Sequence, residues 1–199
     1  MNQPTNRPLP KRQSKVTGNG AALATVIGST MAAAMLFVAV PSEESGRKVE
    51  AKILVDNTIQ TRHVKGRQYL KAYLDVVKVG TICDGITRID GVPVKLGDTA
   101  TEAQCALLLE EELVKHAQGV IKCTPNLYGR TNQVFAASSL AYNIGVAGYC
   151  RSSVDRHFDA GRWVAGCNAI LMWNKAGGRV IGGLRSRRER ERNVCVKGL

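Results

Sequence analysis

Asp75 and Thr81 stand six residues apart, on either side of a β-branched stretch that closes on Gly80. The stretch reads as the opening of a small β-hairpin. A carboxylate can take a proton or steady a developing positive charge, and a hydroxyl both donates and accepts hydrogen bonds. Held together at the mouth of a hairpin, the two suit hydrolytic acid–base chemistry. An aspartate alone at such a place is ordinarily a turn residue, so the pair and its surroundings carry the reading. Other reactive side chains are less suggestive. The chain has six cysteines and three histidines, with no CxxC pair and no metal-ligand spacing between histidine and cysteine. Neither a metal nor a cofactor is expected. Cysteines spread through the chain (Cys83, Cys105, Cys123, Cys150, Cys167 and Cys195) suit disulfides in an oxidising compartment. The alternative is ordinary buried thiols.

The elements that must position this pair belong to a chain of 199 residues, 44% hydrophobic and 22% charged. That is enough for one cored domain, with or without a tail. A net charge of +12 favours polyanionic partners: nucleic acid, anionic lipid or an acidic cell wall. Aromatic residues make up only 5%, and no nucleic-acid motif is present, so nucleic acid is not the expected partner. Arg7, Lys11, Arg12 and Lys15 form a basic N-terminal tail without acids. Arg185, Arg187, Arg188, Arg190 and Arg192 crowd the other end, interleaved with Glu189 and Glu191. The C-terminal run reads as a solvated helix with local ion pairs.

From Val16 to Ser42 there is no charged residue. Residues 20–40 can cross a hydrocarbon layer of about 30 Å. The basic tail in front (1–19) places the N-terminus in the cytoplasm and the rest outside. This predicts a signal-anchor helix at an inner membrane, inserted by the export machinery of the cell. Ala, Gly, Ser and Thr dominate its first half, so it is a weak anchor. Cleavage after Ala32-Ala33-Ala34 and release of the uncut helix are both open, and the length favours the uncut form. Residues 41–57 read as a linker.

Residues 58–199 read as the folded domain. A helix is expected over about 58–74, then two or three antiparallel strands over 76–97, with a turn at Ile89-Asp90-Gly91-Val92. Thr99-Ala100-Thr101-Glu102 reads as a capping box. The helix it opens has an apolar face through Ala106, Leu109, Leu113, Ala117 and Val120, with Glu110, Glu111 and Glu112 on its solvent side. Residues 131–145 are apolar nearly all round, which marks a central helix ended by Gly145. Ser152 or Ser153 caps a short helix, Arg162–Trp173 forms another, and a glycine-rich loop precedes the basic helix. The expected fold class is α+β: a predominantly helical domain with a small antiparallel sheet near its N-terminus, behind one N-terminal anchor helix.

Taken together, the domain resembles the phage-type lysozymes, a family of glycoside hydrolases. The likeness runs from about residue 60 to the C-terminus. It is carried by Ala72-Tyr73-Leu74-Asp75, Thr81-Ile82 and Asp84-Gly85. Ser139 to Gly145 (with Tyr142 and Asn143), Trp163, Gly177-Gly178, Gly183-Leu184, Arg187-Arg188 and Glu191 continue it. With its N-terminal segment the chain is similar to phage endolysins that carry a signal-anchor-release segment, which are exported, tethered and then freed into the periplasm. The resemblance implies a lysozyme-like fold, bacterial peptidoglycan as partner, a monomer, and hydrolysis of β-1,4 links for host lysis. It also suggests the disulfides Cys150–Cys167, Cys123–Cys195 and Cys83–Cys105.

In that family a Glu protonates the leaving oxygen. An Asp steadies the oxocarbenium-like transition state and, with a Thr, holds the attacking water. Asp75 and Thr81 match the last two roles. The family Glu falls nine residues before the Asp, where this chain has Gly66, preceded by Lys65. Between Asp56 and Asp75 there is no carboxylate. Lys65 as an ammonium acid with a lowered pKa, Asp84 acting from the turn, or a glycan-binding relative without activity are the alternatives that follow.

Overall fold

The computed structural model describes residues 6–9, 18–75 and 77–199. Strand β1 (Arg7–Pro8) comes first, then helices α1 (Ala21–Ile27) and α2 (Thr30–Glu44). The single helix expected over 20–40 is two, bent by 117°. Gly28, in the left-handed region at φ 69°, ends α1. Ser29 caps α2, its hydroxyl accepting the Ala32 N–H at 3.1 Å. Among the described residues no single helix is long and apolar enough to cross a membrane, although α1 and α2 together are. Here the same side chains are core: Leu23, Ile27, Leu36 and Val40 are fully buried, in one cluster with Leu113, Ala117, Val134 and Leu140. Burial of each such side chain contributes about 1.5–3 kcal/mol.

The stretch 41–57, expected as a linker, holds the end of α2 and strand β2 (Lys48–Ile53). The helix expected over 58–74 is replaced by β3 (Ile59–Lys65), irregular chain and β4 (Tyr73–Leu74). β2 and β3 pair as an antiparallel hairpin around Asp56-Asn57, with Asn57 at φ 61°. The physical reason is a period of two. Val49, Ala51 and Ile53 alternate with Lys48, Glu50 and Lys52, and Val49 and Ile59 are buried. The hairpin leaves and returns at one point, since a Cβ on Gly66 would lie 2.7 Å from the Gly46 carbonyl oxygen. Its two ends therefore meet, and the chain beyond it continues from near where it left.

The expected small sheet is a set of two-stranded pairs. β4 pairs with β5 (Gly80–Thr81), and β6 (Arg88–Ile89) with β7 (Val92–Pro93) across the foreseen turn. β8 (Asp98–Thr99) pairs in parallel with β1. Ile82, Ile86, Ile89, Val94 and Leu108 form a second, smaller core. Helix α3 (Glu102–Cys123) leads out of it. Its capping box is Thr101 with Gln104, two residues later than expected. The helical lobe continues through α4 (Thr131–Ile144), α5 (Val146–Cys150), α6 (Ser153–Asp159) and α7 (Trp163–Ala169). The hairpin β9 (Lys175–Ala176) with β10 (Arg179–Val180) follows, then α8 (Gly182–Cys195). Gly145 ends α4 and Ser152 caps α6, as the sequence implied.

Cys83–Cys105 is formed as expected, tying the smaller core to α3. The other two pairs exchange partners: Cys123 joins Cys150, and Cys167 joins Cys195. α5 returns beside the end of α3 and α7 lies beside α8, so neighbours in space are linked. Each bridge closes a loop of 22 to 28 residues, worth about 3–4 kcal/mol by loop entropy.

Glu110 departs from its expected solvent position. It is fully buried, because α1, α4 and α5 all pack on α3, and neither carboxylate oxygen has a hydrogen-bond partner. An unsatisfied buried polar group costs about 1–3 kcal/mol. Glu110→Leu should therefore raise the thermal midpoint of the oxidised protein by a few degrees in calorimetry; an unchanged or lower midpoint contradicts this.

Candidate active site

The site is assembled from both ends of the chain. α2 ends on Glu44, whose carboxylate receives a hydrogen bond from Arg187 Nη1 at 2.7 Å. Its side chain lies over Gly85: a Cβ built there would sit 3.5 Å from both Glu44 Cβ and Oε2. Gly85 has φ 87°, a conformation that glycine adopts without strain. Just before it, Asp84 is buried and bonded to Arg47 (Nη2 to Oδ2, 2.5 Å) and to the Ser45 hydroxyl (2.8 Å). The Tyr142 hydroxyl donates to the Asp84 carbonyl at 3.1 Å. Asp84, an alternative acid in the sequence, is thus a structural partner that fixes the turn beneath Glu44.

Asp75 and Thr81 are brought together by β4 and β5. Tyr73 pairs with Thr81, and the Asp75 N–H donates to the Val79 carbonyl at 3.0 Å. In this register Tyr73 and Thr81 share one face of the hairpin, and Asp75 follows at its open end. Asp75 Oδ1 accepts the N–H groups of Val77 and Val79 at 2.9 and 2.8 Å, so its carboxylate is aimed by its own loop. The buried Thr81 hydroxyl donates to the Val79 carbonyl at 3.1 Å. Tyr73 reports on the arrangement. Burial raises its phenol pKa first, and the charges of Tyr69, Asp75 and Glu44 raise it further.

Lys65 occupies a different place from the one the spacing gave it. It is an exposed residue at the end of β3, opposite Lys48. A carboxylate sought nine residues before Asp75 misses Glu44, which the β2–β3 hairpin separates from Asp75 in the chain. The signal was present. Two alternating stretches around Asp56-Asn57 mark a hairpin, and removing it brings Glu44 close to the Tyr73 region.

Arg187 connects Glu44 to the last helix. It also donates to Glu191 Oε1 (3.2 Å) and to the Ser139 carbonyl (3.2 Å). Glu191 accepts the Ser139 hydroxyl at 2.6 Å and pairs with Arg188 at 3.1 Å. The expectation of a solvated basic helix fails here, since Arg187, Arg188 and Glu191 are buried at 3% exposure or less. Burial pulls the Arg188 pKa down to about 10, against the opposing pull of Glu191. Burial also works against Arg187, yet Glu44 and Glu191 hold its pKa above the ordinary value. Glu191→Ala would remove the carboxylate that two buried guanidinium groups share. Such losses cost about 3–5 kcal/mol, so the urea midpoint should fall sharply; a change within about 0.5 kcal/mol, typical of surface sites, would show that the network carries little.

Comparison with known proteins agrees with this geometry. Residues 64–191 match the family model "Phage lysozyme". The match begins inside β3 and so leaves Glu44 outside it. The SAR-endolysin of Bacteriophage PS119 is 34% identical over 148 residues, covering 74% of this chain and 86% of the relative. The endolysin from Escherichia coli O157:H7 phage FAHEc1 superposes with a TM-score of 0.59 at 30% identity, over 67% of this chain and 86% of that one. The active form of P1 phage endolysin Lyz gives 0.63 at 19% identity, over 94% of this chain and 97% of that one. It shares the fold, and its match extends to the N-terminal helices. The chain belongs to the phage lysozyme family and is a glycoside hydrolase of the muramidase class.

Proposed function

We propose that Glu44 is the proton donor that the spacing of the sequence concealed, and that the chain is an endolysin cutting β-1,4 glycosidic bonds of host peptidoglycan. Glu44 protonates the leaving oxygen. Asp75 steadies the oxocarbenium-like transition state and, with Thr81, holds the attacking water. The observation that carries this reading is the position of Glu44, over the open side of Gly85 and fastened by a buried arginine. The catalytically silent alternative loses its ground, because it rested on a missing carboxylate.

Zymography on purified wall material tests the assignment. Glu44→Gln and Asp75→Asn should each reduce clearing at least a hundredfold, on the scale of general acid–base catalysis. Lys65→Ala should clear as well as the parent. Loss with Lys65→Ala, or full activity in Glu44→Gln, would overturn it.

We further propose that residues 20–40 hold the exported chain at the inner membrane, N-terminus in the cytoplasm, before release into the periplasm. The relatives named SAR-endolysin support this, as do the charge-free run and the basic tail before it. The break at Gly28 tells the two states apart. In a spanning helix it is an ordinary helical position, where Ala is favoured by about 1 kcal/mol. In the folded protein a Cβ there would lie 2.8 Å from the Tyr128 ring and 2.9 Å from the Gly129 nitrogen. Gly28→Ala should therefore leave more chain in the membrane fraction after the membrane potential is collapsed. Equal release of variant and parent counts against the scheme.

A further inference from the structure

We infer that the basic N-terminal tail is a latch, which closes as an added strand on the β8 edge of the hydrolase domain once the chain has left the membrane. This rests on the anchoring reading above. The observations are local to residues 7–9. The Arg7 N–H donates to the Gly97 carbonyl at 2.6 Å and the Leu9 N–H to the Thr99 carbonyl at 2.8 Å. Arg7 Nε bonds to Asp98 Oδ1 at 2.5 Å, and Asp98 is buried while Arg7 remains exposed. Gln104, already engaged in the capping box of α3, donates its side-chain amide to the Leu9 carbonyl at 3.3 Å. Leu9 packs against the smaller core.

The sequence is built for one-sided pairing. Residues 7 and 9 donate toward β8, while Pro8 occupies the alternate position, whose N–H would point away from it. No ladder bond is lost, and the outer edge of the added strand lacks the donor at Pro8 that a further strand would need. A second fastening follows along the chain. The Ile59 N–H of β3 donates to the Asn19 carbonyl at 2.7 Å. A Cβ on the adjacent Gly20 would lie 2.5 Å from Ile59 Cδ1, so Asn19 and Gly20 lie against the β2–β3 hairpin at close range.

In the anchored state these contacts are impossible. Arg7 to Leu9 lie on the cytoplasmic side of a hydrocarbon layer about 30 Å thick, and β8 lies on the other side. Closure therefore requires that the tail has crossed, and it opposes the tail going back. Asp98, buried in the small lobe, is the counter-charge that receives the arriving Arg7.

Two measurements with the full-length, oxidised chain test the latch. In hydrogen exchange of the released protein, the Leu9 amide should exchange at least tenfold more slowly than in Arg7→Glu. Equal, fast exchange in both overturns the latch and leaves the anchoring scheme intact. In fractionation after collapse of the membrane potential, Arg7→Glu should lower the released fraction at least threefold. The substitution removes positive charge from the tail that must cross the bilayer, so easier crossing would act in the opposite direction. Release equal to or greater than that of the parent overturns the latch. Pairing the substitution with Asp98→Arg should recover part of the loss. Clearing of isolated wall by purified Arg7→Glu should equal that of the parent. A parent chain never found in the membrane fraction would overturn the anchoring scheme and the latch together.

Discussion

The Arg187 guanidinium is the junction on which the arrangement depends. It binds Glu44 at the end of the second helix, Glu191 on the last helix, and the Ser139 carbonyl of the central helix. A buried arginine is tolerated only when its charge and donors are matched, and here the matching groups come from three distant parts of the chain. One of them is the carboxylate over Gly85. A site that needs Glu44 in place therefore needs α2 packed against α4 and α8, and that packing exists only when residues 21–44 lie within the protein.

The apolar N-terminal segment is core in this fold. Its small residues allow close packing in a protein interior. Gly28 lets the chain turn beside Tyr128 and Gly129, which no residue with a Cβ does without displacement. The bend of 117° sets α1 and α2 at a steep angle to each other within the core. Three disulfides link elements outside this segment, and none involves it.

The β2–β3 hairpin lies in the chain between Glu44 and Asp75. It begins and ends at touching glycines, so the chain beyond it resumes where it left off. The hairpin lies against α2 and covers apolar surface with Val49 and Ile59. Glu44 and Asp75 are thus far apart in sequence for a reason that local pattern alone does not show.

Local pattern determined much of this protein. Alternation and glycine placement gave the β6–β7 turn, the all-round apolar character of residues 131–145 gave the central helix, and Gly145 and Ser152 marked helix ends correctly. The order of Asp75, Thr81 and the later family residues was enough to place the chain among lysozyme-like hydrolases. Tertiary structure decided what depends on contacts between distant segments. These include the identity of Glu44 as the carboxylate beside Gly85, the partners of four cysteines, the burial of Arg187, Arg188 and Glu110, and the docking of Arg7 on Asp98. The division has one physical cause. Turns and helix caps form within a few residues of the chain, whereas ion pairs, disulfides and burial depend on which surfaces meet. An added hairpin changes residue counts without changing which surfaces those are.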